Sequence, residues 1–485
     1  MAGIGFRLQK LFQEDYLSSR VKAYGFSLFV TAGPWLIVIL SITGSRYLLS
    51  LFHTIPIEEQ KLFTISLSYC FIFSLIVYGG LQLIVTRYVA DLLYEQKTDR
   101  IYPSFIGMTK LVLICAFVLW LIFACFTTLP LYYKFMMLFL FLGLHIIWIQ
   151  SIYLTAAKDY QSIAYAFLTG SVVFVLEILV ISFFHLQLGI PHGYAFLLLT
   201  SFTSGIFITL VWLSIVMMRM FPTSKLDNPY TFLSYIDKFP ELFWTGFLYN
   251  LGIWTCNFVI WFGEGREVVA GSFLYHPIYD TTVFWAYLTI LPTYVFFVVS
   301  VETRFYERYK KYYGAVNSGG TLHQILELRD SMIVVMRQEV YRLIRNQGII
   351  TLLIIFSAWI FISQTNSNQM EYSIFQLTAL GAFSNGMVLI LTLLLLYFED
   401  RRGALRTSAI FFLINLIVTL ALLPLGYNGY GISFVMGASI AFLYAFARLI
   451  HYVQNIDYYT FCQPDQQPRK RMFFTKLAEK LNKLS

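Results

Sequence analysis

Apolar runs of about 20 residues recur along the whole chain, each long enough to cross a hydrocarbon core of roughly 30 Å. Twelve can be drawn, at approximately 23–46, 62–86, 106–128, 134–156, 162–184, 193–217, 241–262, 281–303, 348–362, 372–398, 407–424 and 430–452. A backbone in lipid finds no water to bond, so such runs fold as helices. The ninth is short as drawn and is expected to begin inside the polar segment before it. With 58% hydrophobic and only 12% charged residues, the chain cannot be an ordinary soluble protein. The expected fold is an all-α membrane protein of about 12 transmembrane helices.

A short motif occurs twice. Thr86-Arg87-Tyr88 is followed by Asp91, and Thr303-Arg304-Phe305 is followed by Glu307; each closes an apolar helix and opens a basic segment. Upstream, Ala32-Gly33-Pro34-Trp35 corresponds to Leu251-Gly252-Ile253-Trp254, and downstream Gly193-Tyr194 corresponds to Gly429-Tyr430. The offset is 219 positions for the tryptophans, 217 for the arginines and 236 for the Gly-Tyr pairs, because the second copy carries an extra polar insert after Arg304. Two repeat-related six-helix bundles are a frequent plan among membrane transporters.

Lysine and arginine placement orients the chain. With both termini inside, 30 of the 34 basic residues fall in cytoplasmic segments or, for Lys110 and Arg448, at the cytoplasmic ends of spans, and only Arg46, Lys61, Lys134 and Arg266 fall elsewhere. The net charge of +8 therefore reads as N-in/C-in membrane orientation and not as a nucleic-acid footprint. The expected organisation is a cytoplasmic amphipathic N-terminus at 1–22, a first bundle at 23–218, a cytoplasmic linker at 219–240, a second bundle at 241–452 with a cytoplasmic insert at 305–347, and a basic amphipathic tail at 453–485. In that tail Phe473, Leu477, Leu481 and Leu484 alternate with Lys476, Lys480 and Lys483, a pattern that binds an anionic membrane surface. The N-terminus shows no cleavable signal peptide, so the first span is expected to direct insertion.

Polar residues inside spans mark the candidate site. The first span holds Tyr24, Ser27, Thr31 and Trp35 at helical spacing, with Gly33-Pro34 expected to kink it. Its repeat partner carries Asn250, Trp254, Asn257 and Trp261; the second span adds Ser74, Tyr78, Gln82 and Thr86, and the eighth adds Trp285, Thr289, Thr293 and Ser300 around Pro292. Such stripes are costly toward lipid and are expected to face a polar interior. Interhelical hydrogen bonding is the plainer alternative for each one taken singly. Four stripes at repeat-related positions point to a shared polar path through Tyr24, Thr31, Trp35, Tyr78, Gln82, Asn250, Trp254, Asn257, Trp261, Trp285 and Thr289.

Candidate gate and coupling groups are Arg87 with Asp91, Arg304 with Glu307, and two ionisable residues deep in spans, Glu177 and His145. Each arginine lies within one helical turn of its carboxylate, and the pairs are expected to act across the two halves when the cytoplasmic side closes. Glu177 reads either as a proton-coupling carboxylate or as a neutral acid bonded to a neighbouring serine. His145 reads more simply as a packing residue.

No phosphate-binding loop, nucleophile elbow, HExxH or cysteine–metal cluster is present. Neither catalytic residues, a metal nor a cofactor is expected, and the chain reads as a non-enzyme.

Residues 1–15 (Met-Ala-Gly-Ile-Gly-Phe-Arg-Leu-Gln-Lys-Leu-Phe-Gln-Glu-Asp), Ala32–Trp35, Thr86–Asp91, Glu302–Phe305 and Gly319–Leu322 resemble the PelG family, the membrane transport component of the bacterial Pel exopolysaccharide system. The resemblance runs from the first residue to at least the twelfth span. It implies a fold similar to polysaccharide flippases and MATE exporters, and export of an amino-sugar polymer across the cytoplasmic membrane. It also implies a cytoplasmic glycosyltransferase partner (PelF-like), membrane partners (PelD- and PelE-like), and no nucleic acid. The competing expectations are a lipid-linked oligosaccharide flippase or small-molecule exporter on the same fold, and a non-transporting scaffold for a synthase.

Overall fold

The computed structural model describes residues 25, 27–29, 32–52, 55–157, 159–221, 227–365, 369–462 and 473–484. The expected N-terminal amphipathic helix, and with it Tyr24 and Thr31, lies outside the described residues.

The chain is built of helices: α1 (Gly33–Phe52), α2 (Ile57–Tyr94), α3 (Ile101–Phe126), α4 (Leu131–Ala156), α5 (Tyr160–Phe183), α6 (Gly193–Met220), the short α7 (Ser234–Lys238) and α8 (Pro240–Ile260). A two-stranded hairpin, β1 (Glu267–Val269) and β2 (Phe273–Tyr275), separates these from α9 (Pro277–Leu288), α10 (Leu291–Val299), α11 (Tyr306–Asn317), α12 (Leu322–Thr365), α13 (Gln369–Tyr397), α14 (Arg401–Leu422), α15 (Ile432–Gln454), α16 (Ile456–Phe461) and α17 (Phe473–Leu484). Among the described residues, ten helical segments are long and apolar enough to cross a membrane. Helices α1 and α8 occupy the first and seventh sequence spans but are not among those ten.

Three local features follow from the residues present. The eighth span breaks at Thr289–Ile290, and α10 restarts with Pro292 in its first turn, where a missing N–H costs nothing. The ninth span does begin inside the polar insert, because α12 runs unbroken from Leu322 to Thr365. The hairpin departs from an all-α expectation. Ala270 and Gly271 both take positive φ, 49° and 60°, the geometry of a tight primed turn. Tyr69 holds β2 from α2, its hydroxyl donating to the Leu274 carbonyl at 2.8 Å, and Lys61 pairs with Glu267.

Two compact units form, and neither is a single stretch of chain. The first holds Gly33–Trp254, the hairpin and α17; the second holds Thr255–Gly265, the chain from His276 through α16, and the described residues before Gly33. One division falls at the start of α1, before Gly33-Pro34-Trp35, and another inside α8, after Gly252-Ile253-Trp254.

Within the first unit α4 packs on α2, α3 and α6, while α1 packs on α5 and α5 on α6. The α5–α6 contact is backbone to backbone. A β-carbon at Gly170 would strike the Gly205 carbonyl and the Thr209 hydroxyl, and one at Gly205 would strike the Gly170 carbonyl. Small residues let membrane helices approach this closely. In the second unit α13 is the central element, packed by α9, α12, α14 and α15. Asp400 caps α14 through the Gly403 N–H at 3.1 Å and also takes both guanidinium arms of Arg448, at 2.6 and 3.1 Å.

Gly170→Val is expected to lower stability by about 1–3 kcal/mol, the usual penalty of overpacking, read as a lower melting temperature in detergent. Gly44→Ala, whose β-carbon meets nothing within 4 Å, should leave the melting temperature unchanged.

Candidate functional site

The first unit gathers an aromatic and hydroxyl cluster around Trp148 on α4. Trp35 stacks on it with centroids 6.5 Å apart and planes 22° apart; Tyr78 and Phe71 approach it at 5.9 and 6.2 Å. The Trp148 indole N–H donates to the Ser74 hydroxyl at 3.0 Å. Trp35 is 45% exposed, so the stack covers only part of its surface. Trp35, Tyr78 and Ser74 were legible as stripe residues; Trp148 was not. Its signal was an indole in mid-span, three residues after His145.

Asn250 lies against the α2–α8 crossing. Its amide N–H donates to the Gly246 carbonyl at 2.9 Å, and a β-carbon at Gly79 would run into its side chain. Gln82 and Trp254 are half-buried in the same unit. Glu177 is half-buried and accepts a hydrogen bond from the Ser204 hydroxyl at 2.7 Å, so the acid has the serine neighbour that one of its two readings required. His145 is buried, bonds the Phe141 carbonyl through Nδ1 at 2.7 Å and lies edge-on to the Phe141 ring at 4.4 Å. Its Nε2 has no hydrogen-bond partner among the described residues.

At the far end of α2, Arg87 Nε lies 3.3 Å from Asp91, one turn along the helix as its spacing required. The guanidinium also covers the Phe239 ring at 5.6 Å. The Tyr235 hydroxyl donates to Asp91 at 3.0 Å. Burial, then the adjacent Asp91 charge, pushes the Tyr235 phenol well above its ordinary pKa.

In the second unit Asn257 and Trp261 are brought together by a residue that no stripe contained. Asp280, at the start of α9, accepts from the Asn257 amide at 2.8 Å, the Trp261 indole at 2.9 Å and the His276 backbone N–H at 3.0 Å. His276 is held in turn by the Glu264 carbonyl at 2.8 Å, which also receives the Tyr430 hydroxyl at 2.8 Å. The polar tips of Asn257 and Trp261 are thus committed to a carboxylate. Spacing along one helix gave their shared face, but only the fold supplied the acceptor. Thr289, just past the end of α9, is buried and bonds the Ala286 carbonyl at 2.7 Å, while Trp285 on α9 is exposed.

The second motif copy is built differently from the first. Over Ser300–Phe305 the helix widens into a π-turn, a feature frequent at functional positions. Arg304 meets a carboxylate from another helix, Glu339 of α12, at 3.2 Å. Glu339 is buried and also receives Arg342 at 2.9 Å and the Ser300 hydroxyl. Glu307 is exposed on α11.

Comparison with known proteins then decides the family. The family model PelG, described as "Putative exopolysaccharide Exporter (EPS-E)", matches residues 1–461. The chain belongs to the PelG family. It is a multi-pass membrane protein with the fold of MATE and other MOP-superfamily transporters. The Vibrio cholerae MATE transporter VcmN superposes with a TM-score of 0.56 at 14% identity, covering 95% of this chain and 100% of that one. A eukaryotic MATE transporter gives 0.58 at 11%, over 95% and 97% of the two chains. A MOP-superfamily transporter from Pyrococcus furiosus gives 0.55 at 12%, over 89% and 96%. No curated protein matches the chain.

Replacing the Asp280 carboxylate of this PelG-family protein with Ala leaves three donors without their acceptor. Asp280→Ala should cost roughly 1–3 kcal/mol for each donor left unpaired, read by thermal unfolding in detergent. Asp280→Asn, which keeps an accepting oxygen, should cost less.

Proposed function

We propose that this PelG-family protein moves a Pel-type amino-sugar exopolysaccharide across the cytoplasmic membrane of a bacterium. In this reading it is a non-enzymatic transporter of twelve helices with both termini inside. The polymer arrives from a cytoplasmic PelF-like glycosyltransferase, with PelD- and PelE-like membrane proteins as further partners. The observation that carries the reading is the stack at Trp148, taken with a family match that covers residues 1–461. Sugars meet proteins through C–H faces laid on aromatic rings and hydroxyls bonded to polar groups. A half-open Trp35 backed by Trp148, Tyr78 and Ser74 offers both kinds of contact. A sliding polymer is served by repeated weak contacts of this kind, and each stack contributes only about 0.5–1.5 kcal/mol beyond area burial. Trp254, Gln82 and Asn250 of the same unit would extend that path. Arg87 would gate it from its place near the end of α2.

The MATE-like fold gives a second reading some weight, in which the cargo is a lipid-linked oligosaccharide or a small molecule. Purified protein in sealed vesicles separates the two. Passage of preformed polymer supports the first reading, and passage of the smaller cargo alone supports the second. Movement of neither would mark a scaffold for the synthase.

Trp35→Ala and Trp148→Ala are each expected to cut secreted polymer by a factor of roughly 2 to 10, the equivalent of one lost stack. Phe at either position should retain more export than Ala. The protein's level in the membrane, followed by immunoblot, should not change; normal export by both Ala variants would remove the stack from the path. If Glu177 couples transport to protons, Glu177→Gln should abolish the dependence of polymer transport on an imposed pH gradient while folding is kept. Unaltered gradient dependence would leave Glu177 as the structural partner of Ser204.

A further inference from the structure

The C-terminal helix α17 lies beyond the family match, which ends at residue 461. In sequence it is a basic amphipathic helix, a kind that lies on anionic membrane surfaces. In the structure its apolar face is already in use.

Helix α17 packs on residues 231–238 of the first unit. At its start the Thr475 N–H and hydroxyl both donate to the Asp237 carboxylate, at 2.7 and 2.8 Å. Near its end the Asn482 side-chain oxygen accepts the Tyr230 N–H at 2.9 Å. Between these clasps Ala478 is 4% exposed. Phe474, Leu477 and Leu481 are half-buried, and Phe232, Leu233 and Ile236 on the other side are buried. Lys476, Lys480 and Lys483 lie on the exposed face, and none of the three has an ion-pair partner among the described residues.

The segment under α17 is the one that braces the first Thr-Arg motif. Tyr235 bonds Asp91 and lies edge-on to Tyr88 at 5.1 Å, and Phe239 sits beneath Arg87. An amphipathic helix can bury its apolar face only once, in protein or in a bilayer. Residues 230–238 hold one acid, Asp237, already bonded to Thr475, whereas anionic headgroups add an attraction for all three lysines.

We propose that the apolar face of α17 is a shared surface, held by residues 230–238 in this structure and claimed in competition by an anionic membrane surface. Release to the membrane uncovers the segment that braces Arg87, so that leaflet charge acts on this end of α2.

The test uses the full chain with Cys115, Cys125 and Cys462 replaced by serine and the pair Thr475→Cys with Asp237→Cys introduced. It is reconstituted in phosphatidylcholine vesicles, or in the same vesicles containing phosphatidylglycerol, and oxidised. The cross-link should form readily in the neutral vesicles and severalfold less in the anionic ones. High salt, or a background of Lys476→Gln, Lys480→Gln and Lys483→Gln, should restore it. A second pair, Tyr230→Cys with Asn482→Cys, reads the other clasp in case the first disturbs docking. In the anionic vesicles, labelling of Ile236→Cys by a water-soluble maleimide should rise as the cross-link yield falls. Equal cross-linking of both pairs in the two kinds of vesicle would overturn the proposal and make α17 a permanent part of the first unit.

Discussion

A polar group that enters lipid must find its partner inside the protein, because no water is there to take its place. Much of this structure follows from that constraint, and its acids show how it is met. Glu59 accepts the Ala195 N–H at 2.9 Å at the start of α6 and holds His192 at 3.1 Å. Asp159 caps α5 through Ser162, Asp400 caps α14, and Asp280 takes the His276 N–H just before α9. Each of these acids sits at a helix start, where unpaired N–H groups carry partial positive charge. A carboxylate there satisfies the backbone and is itself stabilised, so few charges are left for the middle of the bilayer.

The internal repeat did not copy this solution twice. The first motif stays in a regular helix, with Arg87 held by Asp91 from its own next turn and by Phe239 from the following segment. The second passes through a π-turn, and its arginine reaches the buried Glu339 of another helix. The polar segment after Arg304 is what makes this possible, since it becomes the first part of α12 and carries Glu339 there.

Fold and function separate along the same line. A MATE-like arrangement is shared with proteins only 11–14% identical to this chain. It constrains helix packing and leaves the cargo open. Side chains such as the stacked Trp35 and Trp148 belong to this sequence and are not dictated by the shared arrangement. Helix α17, outside the family match, is a further addition on the same framework.

The helices were legible in the sequence because apolar length acts locally. A run of about 20 apolar residues has few options other than a helix. Trp35, Tyr78, Asn257, Trp261, Arg87 and Asp91 could be named for the same reason, since spacing along one helix fixes which residues share a face. What each of them touches could not be named. Trp148 behind Trp35, Asp280 beneath Asn257 and Trp261, and Glu339 beside Arg304 all come from other helices. The hairpin hid in an acidic loop because its turn rests on positive φ at Ala270 and Gly271. The amphipathic tail announced its apolar face, yet nothing local said that residues 230–238 would cover it. Periodicity along a segment determines which face must be buried; only the packing of distant segments decides against what.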